Sequence, residues 1–249
     1  LRYKKGWADC EATALQFRER FEARTEAIAS DLAIAPLTGT PSCVTEGDAR
    51  RFIASSSQDK FRLCVTSPPY LNSFDYSDIY RPELFLGGFV ESNKSLMKVR
   101  LETIRSHVQA TWENPIKNEF GTLYQDCISN IQACAEDLWN PRIPKMVQAY
   151  FEDMEIILRG LRRKACDNAS IWLVVSTSAY AGVEVPVDLI LAEIGQRAGW
   201  FLREVGVLRY LRSSSQHVKH VEDKDRKSVP LRESVVIFNA SKNRHQWFQ

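Results

Sequence analysis

Phe61-Arg62-Leu63-Cys64-Val65-Thr66-Ser67-Pro68-Pro69-Tyr70 decides the reading of the chain. The first six residues form a compact, largely apolar strand. Two consecutive prolines then stop it, because neither can donate a ladder hydrogen bond and the backbone has to leave the sheet. In open α/β sheets the carboxyl ends of strands are where ligands bind, so Ser67 to Tyr70 stands where chemistry is expected. A bare Ser-Pro-Pro-Tyr is also what an ordinary loop with a packed tyrosine looks like, and its surroundings give it weight. Leu71-Asn72-Ser73-Phe74-Asp75-Tyr76 follows, rich in aromatic and amide groups. Twenty residues upstream of Ser67, Gly47-Asp48-Ala49-Arg50 closes a second short strand, Cys43 to Glu46, which puts an acid on the same sheet edge.

Outward from this stretch, helical and strand periods alternate. Cys10, Ala14, Phe17, Phe21 and Ile28 form one stripe of a helix over residues 7–32, and Pro36 to Ser42 is a loop. Residues 94–140 read as helical, with Leu123, Cys127, Ile131, Ala135 and Leu138 at helical spacing. Met146, Tyr150, Met154, Ile157 and Leu161 mark another helix, ending in Arg162-Arg163-Lys164, cations that suit a helix C-terminus. Ser170 to Ser176 is apolar on both faces, as in a central parallel strand. Pro186 opens a helix lined by Ile190, Ile194 and Ala198, and Gly199 closes it. Late strands at 205–211 and 233–239 flank a polar loop at 212–230. This order predicts an α/β fold, a mostly parallel sheet ending in an antiparallel, hairpin-like pair.

The composition excludes several classes. With 249 residues, 44% hydrophobic and 26% charged, the chain has enough apolar material for a packed core and is neither disordered, collagen-like nor a disulfide scaffold. The longest apolar runs, Ile171 to Val175 and Val235 to Phe238, fall far below the roughly 18 residues of a membrane span. No basic-then-apolar leader opens the sequence, although Leu1 is not an initiator methionine. Six scattered cysteines without a C-x-x-C pair predict a reduced, cytoplasmic protein. His217 and His220 are three apart but have no cysteine or second histidine pair beside them, so no zinc or other metal is expected. From Arg203 to Arg232 eight Lys and Arg face four acids, an excess of four that suits either a phosphate contact or a solvated loop.

Ser67-Pro68-Pro69-Tyr70 resembles the (D/N/S)-P-P-(Y/F) motif of the DNA amino-methyltransferases that use S-adenosylmethionine, and TSPPYLNSFDY at 66–76 is most like their cytosine-N4 branch. Gly47 to Arg50 resembles the segment after the third strand of that fold, where an acid often meets the cofactor adenine. Ser170 to Ser176 resembles its fifth strand and Arg232 to Phe238 its last, antiparallel strand. The resemblance spans roughly 43–239 and implies a partial Rossmann-like methyltransferase fold. Residues 1–42 would be an N-terminal helix and linker, 43–239 the catalytic region with a helical insertion at about 90–145, and 240–249 a tail. It implies catalysis by Ser67, Pro68, Pro69 and Tyr70, and cofactor contacts from Asp48, Ala49, Ser67 and Pro68. It implies nucleic-acid contacts from Tyr70, Asn72, Arg209, Arg212, Ser214 and Gln216. DNA is the implied partner, in a modification or restriction-modification system, with cytosine N4 ahead of adenine N6.

These residue types suit that chemistry. The lone pair of a base amino nitrogen is delocalised into the ring. The Ser67 hydroxyl and Pro68 carbonyl would accept its two protons and help localise the lone pair toward the methyl donor. Adjacent prolines leave little backbone freedom to lose on binding. Tyr70 would stack on a base extruded from the duplex, a role that a phenylalanine should fill nearly as well. One element of the pattern is absent. The eleven glycines include no G-x-G, so the F-x-G-x-G turn that the resemblance implies for the methionine end of the cofactor would lie upstream of Leu1 or on a second chain. The chain therefore reads as the catalytic half of such an enzyme, with an open sheet flank at Cys43 to Glu46 that favours association. Two alternatives remain: methylation of an RNA base amino group, and a non-catalytic nucleic-acid-binding remnant or subunit. Serine in place of aspartate counts against the first, and the intact motif against the second.

Overall fold

The computed structural model describes residues 14–36, 44–54, 60–211 and 230–242, in two units that divide between Glu46 and Gly47. The first unit holds α1 (Ala14–Ile34), whose Phe17, Phe21 and Ile28 are exposed. Cys10 and Cys43 lie outside the described residues. Of the strand expected at 43–46, the described residues Val44 to Glu46 have no regular structure, and Val44 is 94% exposed. Three residues with one apolar side chain among them have no buried face to contribute.

The second unit carries α2 (Ala49–Ala54), β1 (Phe61–Thr66), the short helices α3 (Tyr76–Ile79) and α4 (Arg81–Leu86), α5 (Asn93–Leu101), α6 (Thr122–Ala133) and α7 (Ile143–Lys164). Then come β2 (Ala165–Ser176), a small hairpin of β3 (Ser178–Tyr180) and β4 (Val183–Val185), α8 (Val187–Arg197), β5 (Phe201–Leu211) and β6 (Leu231–Asn239). Among the described residues the main sheet has the order β1-β2-β6-β5. β2 pairs parallel with β1, Thr66 opposite Leu173, and antiparallel with β6, Trp172 opposite Ile237. β5 pairs antiparallel with β6. Thus β1, β2 and β5 point one way and β6 opposes them. The last strand is antiparallel as expected, but it is wedged between β2 and β5, so two of the three pairings are antiparallel and the sheet is mixed. Among the described residues β1 forms one rim of the sheet, with Leu63 and Val65 exposed.

The core lies between this sheet and α7 and α8. α7 buries Met146, Val147, Tyr150, Phe151, Met154 and Leu158 on one stripe, each contributing about 1.5–3 kcal/mol as it leaves water. Ile190, Leu191 and Ile194 of α8 pack with Ile171, Leu173, Val175, Val236 and Phe238 in the same core. At Gly195 the helix comes so close to β6 that a Cβ would stand 2.3 Å from Phe238 Cζ.

The helix expected through 94–140 is two helices with an irregular stretch, residues 102–121, between them. Side chains of α7 and its N-cap satisfy that stretch. Glu152 accepts the backbone N–H groups of Ile116 and Lys117, both at 2.8 Å, and Arg142 donates to the carbonyls of Val108 and Ala110. The buried face of α6 is Tyr124, Cys127, Ile128 and Ile131, which leaves Leu123 exposed. Among the described residues, no helix is long and apolar enough to cross a membrane.

Candidate active site

β1 ends at Thr66, and Ser67 is exposed beyond it, Pro68 is buried, and Pro69 and Tyr70 are half-buried. The loop is anchored immediately afterwards. Leu71 is fully buried, and its carbonyl accepts from the Tyr180 hydroxyl at 2.9 Å and from Ser178 Oγ. The Asn72 N–H donates to the Tyr70 carbonyl at 2.8 Å, and its side-chain oxygen accepts from Phe74 N. Ser73 has φ 60°, a left-handed conformation costly for a residue with a Cβ, and its N–H donates to the Ser106 carbonyl at 3.1 Å. Asp75 then caps α3 by accepting from Ser77 N, with Arg100 Nε 2.7 Å away.

Tyr70 is tied to the far side of the sheet. Its hydroxyl donates to Glu233 Oε1 at 2.5 Å, and Arg209, the cross-strand neighbour of Glu233, donates from Nε to Oε2 at 2.7 Å. The hydrogen bond from Arg209, then that from Tyr70, holds the Glu233 carboxyl below the usual range. Burial, then the bond to Glu233, pushes the Tyr70 phenol up. At neutral pH this network therefore contains an anionic Glu233 and a protonated, donating Tyr70.

Beneath the loop lies a cavity of about 280 Å³ lined by Ala49 and Ile53 of α2, Cys64 and Thr66 of β1, Ser67 to Pro69, and Met154 and Leu158 of α7. Burial pushes the Cys64 thiol up, so it lines the wall as a neutral group. Asp48 stands beside Ala49, but its carboxylate accepts from Arg50 N at 2.9 Å, Nε at 3.0 Å and Nη2 at 2.8 Å. Burial works against that charge and the Arg50 hydrogen bonds outweigh it, so the Asp48 carboxyl sits below its ordinary range. Arg50 reaches on to Asp153 of α7, which also receives Arg105.

The structure thus gathers Ala49, Ser67, Pro68 and Pro69 around one cavity, and Tyr70 with Arg209 around one carboxylate. Asn72 is exposed on the same loop. Arg212, Ser214 and Gln216 lie outside the described residues, as do His217 and His220. Among the described residues no three His, Cys, Asp or Glu side chains are grouped to hold a metal. Sequence reasoning missed Glu233, although an acid opening the apolar run Ser234 to Phe238 is a visible irregularity. It also missed the Asp48–Arg50–Asp153–Arg105 network, whose members are up to 105 residues apart.

No protein-family model matches the chain. Over 166 residues, 64% of the chain, it is 26% identical to the Type II methyltransferase M.AvaI of Nostoc sp. and to that of Anabaena variabilis. Over 209 residues, 73% of the chain, it is 26% identical to the Type II methyltransferase M.BsoBI of Geobacillus stearothermophilus. The chain spans 34% and 39% of the lengths of these relatives. Among solved structures, a candidate DNA modification methylase from Thermus thermophilus aligns with 82% of this chain and 54% of its own, at 12% identity and a TM-score of 0.36.

Proposed function

We propose that this chain is the catalytic portion of a DNA amino-methyltransferase, which moves a methyl group from S-adenosylmethionine to an exocyclic amino group of a base. Cytosine N4 is the favoured target, adenine N6 the second, and a modification or restriction-modification system the setting. The observation that carries the reading is the Ser67 to Tyr70 loop. An exposed hydroxyl, a rigid proline carbonyl and an anchored aromatic ring stand together at the carboxyl edge of β1. Sequence similarity to Type II methyltransferases over about two thirds of the chain supports it.

Each residue has a physical task in this reading. Ser67 Oγ and the Pro68 carbonyl accept the amino hydrogens. Pro68 and Pro69 hold those acceptors in place, so orientation is prepared before the base arrives. Tyr70 offers a ring face to an extruded base, and Arg209, with a side chain 67% exposed, offers positive charge to a nearby phosphate. S-adenosylmethionine, when bound, supplies an electrophilic methyl group on a sulfonium. The residues of this chain fit it in part. The apolar cavity walls around Ala49 and Pro68 suit a ring, whereas Asp48 is engaged by Arg50 and no G-x-G turn occurs in the sequence to cradle the methionine end. The engagement of Asp48 is also the observation that favours a second reading, a nucleic-acid-binding subunit without its own cofactor site.

Methyl transfer by the complete protein containing this chain, followed by mass spectrometry of the DNA nucleosides, tests the proposal. N4-methylcytosine is expected. Ser67→Ala should lower the single-turnover rate between about two- and tenfold, the worth of one neutral hydrogen bond. An enzyme that methylates no amino group supports the second reading, and an unchanged rate in Ser67→Ala removes Ser67 from the site.

A further inference from the structure

We infer that Glu233 is a positioning residue that holds the Tyr70 ring by its hydroxyl, so that the base platform is set before a base arrives and tyrosine, not phenylalanine, is what this position needs. The inference rests on the amino-methyltransferase reading, in which the ring receives an extruded base. Stacking alone asks only for an aromatic face, and on that ground phenylalanine is expected to serve nearly as well. The structure adds a second demand, made of the hydroxyl.

The ring is held at both ends. At the backbone end Tyr70 stands between Pro69, whose own ring fixes φ, and Leu71, which is fully buried. At the other end the hydroxyl donates to Glu233 Oε1 at 2.5 Å, a charge-assisted bond and so about twice as strong as a neutral one. The carboxylate is itself gripped by Arg209, from Nε at 2.7 Å and from Nη2 at 3.3 Å, so it does not follow the ring if the ring swings. The alternation of β6 aims Glu233 at this task. Its neighbours Arg232 and Ser234 both donate to Asp188 of α8, each at 2.8 Å, so the residue between them leaves the strand on the opposite face. Asp188 is completely buried, and the aim of Glu233 is therefore fixed from within the core. Ordering one free side chain during binding lowers affinity or rate by about two- to tenfold, a cost that the clamp places in folding instead.

Two sets of measurements on the complete enzyme test this. In single-turnover assays, Tyr70→Phe and Glu233→Ala should each slow methyl transfer by about two- to tenfold. The variant carrying both should be no slower than the worse of the two, because each removes the same bond. Glu233→Gln keeps a carbonyl acceptor for the phenol and should retain most of the rate. In ultraviolet titration, the difference from Tyr70→Phe isolates the Tyr70 phenol. Its ionisation should move to lower pH in Glu233→Ala, since the anionic acceptor that retains the proton is gone, whereas a Glu233 that only pairs with Arg209 across the strands would leave it unmoved. This second measurement reports on the clamp even if the protein methylates nothing, so failure of the amino-methyltransferase reading and failure of this inference are distinguishable. A full rate in Tyr70→Phe, losses that multiply in the double variant, or a Tyr70 titration indifferent to Glu233 would each overturn it.

Discussion

Asp153→Ala should be among the most damaging single substitutions in the larger unit. The Asp153 side chain is 1% exposed and receives four N–H donors: Arg105 N at 2.9 Å, Arg105 Nε at 3.1 Å, Arg105 Nη2 at 2.6 Å and Arg50 Nη1 at 3.0 Å. Alanine leaves one backbone N–H buried without an acceptor, at about 1–3 kcal/mol, and withdraws the carboxylate from two largely buried guanidinium groups. Breaking a buried ion pair from one side costs about 3–5 kcal/mol. Arg105 keeps Glu152 at 2.6 Å and Arg50 keeps Asp48 at 2.8 Å, which places the expected loss near the lower end, about 3 kcal/mol. Asp153→Asn keeps an acceptor for the backbone N–H and should cost less. Urea unfolding followed by far-ultraviolet circular dichroism measures both, against a total stability of about 5–15 kcal/mol for an ordinary domain. A loss below about 1 kcal/mol for the alanine variant, the range of surface pairs, would refute the reasoning and mean that water re-solvates the two arginines.

Three further outcomes follow from the same geometry. Gly195→Ala places a methyl 2.3 Å from Phe238 Cζ and should destabilise by about 1–3 kcal/mol; a raised melting temperature would mean that the helix shifts away freely. Burial opposes ionisation of Asp48, Glu152 and Glu155, yet hydrogen bonds from Arg50, the Lys117 backbone and the Lys117 side chain hold all three below their ordinary range. Their contribution to stability is therefore complete above the ordinary carboxylate range and lost as pH falls through the lowered values, so an acid titration of stability should stay level near neutrality and fall steeply below about pH 4. A midpoint that begins to fall above about pH 6 would point to another group. Tyr180→Phe removes one of two hydrogen bonds to the Leu71 carbonyl and should cost about 1 kcal/mol in thermal unfolding; no change would mean that Ser178 alone suffices.

What the sequence disclosed was local. Pro68 and Pro69 announced the loop, the run Ser170 to Ser176 announced a buried strand, and Pro186 and Gly199 bracketed a helix, because each signal acts within a few residues of itself. The misreadings have longer reach. Residues 102–121 carry apolar side chains at helical intervals, but their backbone partners are Glu152 and Arg142, supplied by another element and invisible to any period. Cys43 to Glu46 followed the family pattern while holding too few apolar residues for a buried face. Within the site, Ser67 and Tyr70 could be named from a tetrapeptide. Glu233 could not, since only the register of β5, β6 and β2 brings residue 233 to the loop 163 positions earlier. Asp48 is the converse case, for its partner Arg50 lies two residues away and an acid so placed tends to bind its own neighbour.

The double hold on the Leu71 carbonyl bears on how the loop moves. Its two donors, Tyr180 and Ser178, come from the β3–β4 hairpin, which runs on from β2. For the loop to swing, both bonds must break and a fully buried leucine must surface, so displacement is an opening event of several kcal/mol and not a rapid fluctuation. On the proposed reading, a base that reaches Ser67 would meet a surface already in its working shape. In hydrogen–deuterium exchange, the Asn72 amide, bonded to the Tyr70 carbonyl, should exchange far more slowly than those of ordinary exposed loops.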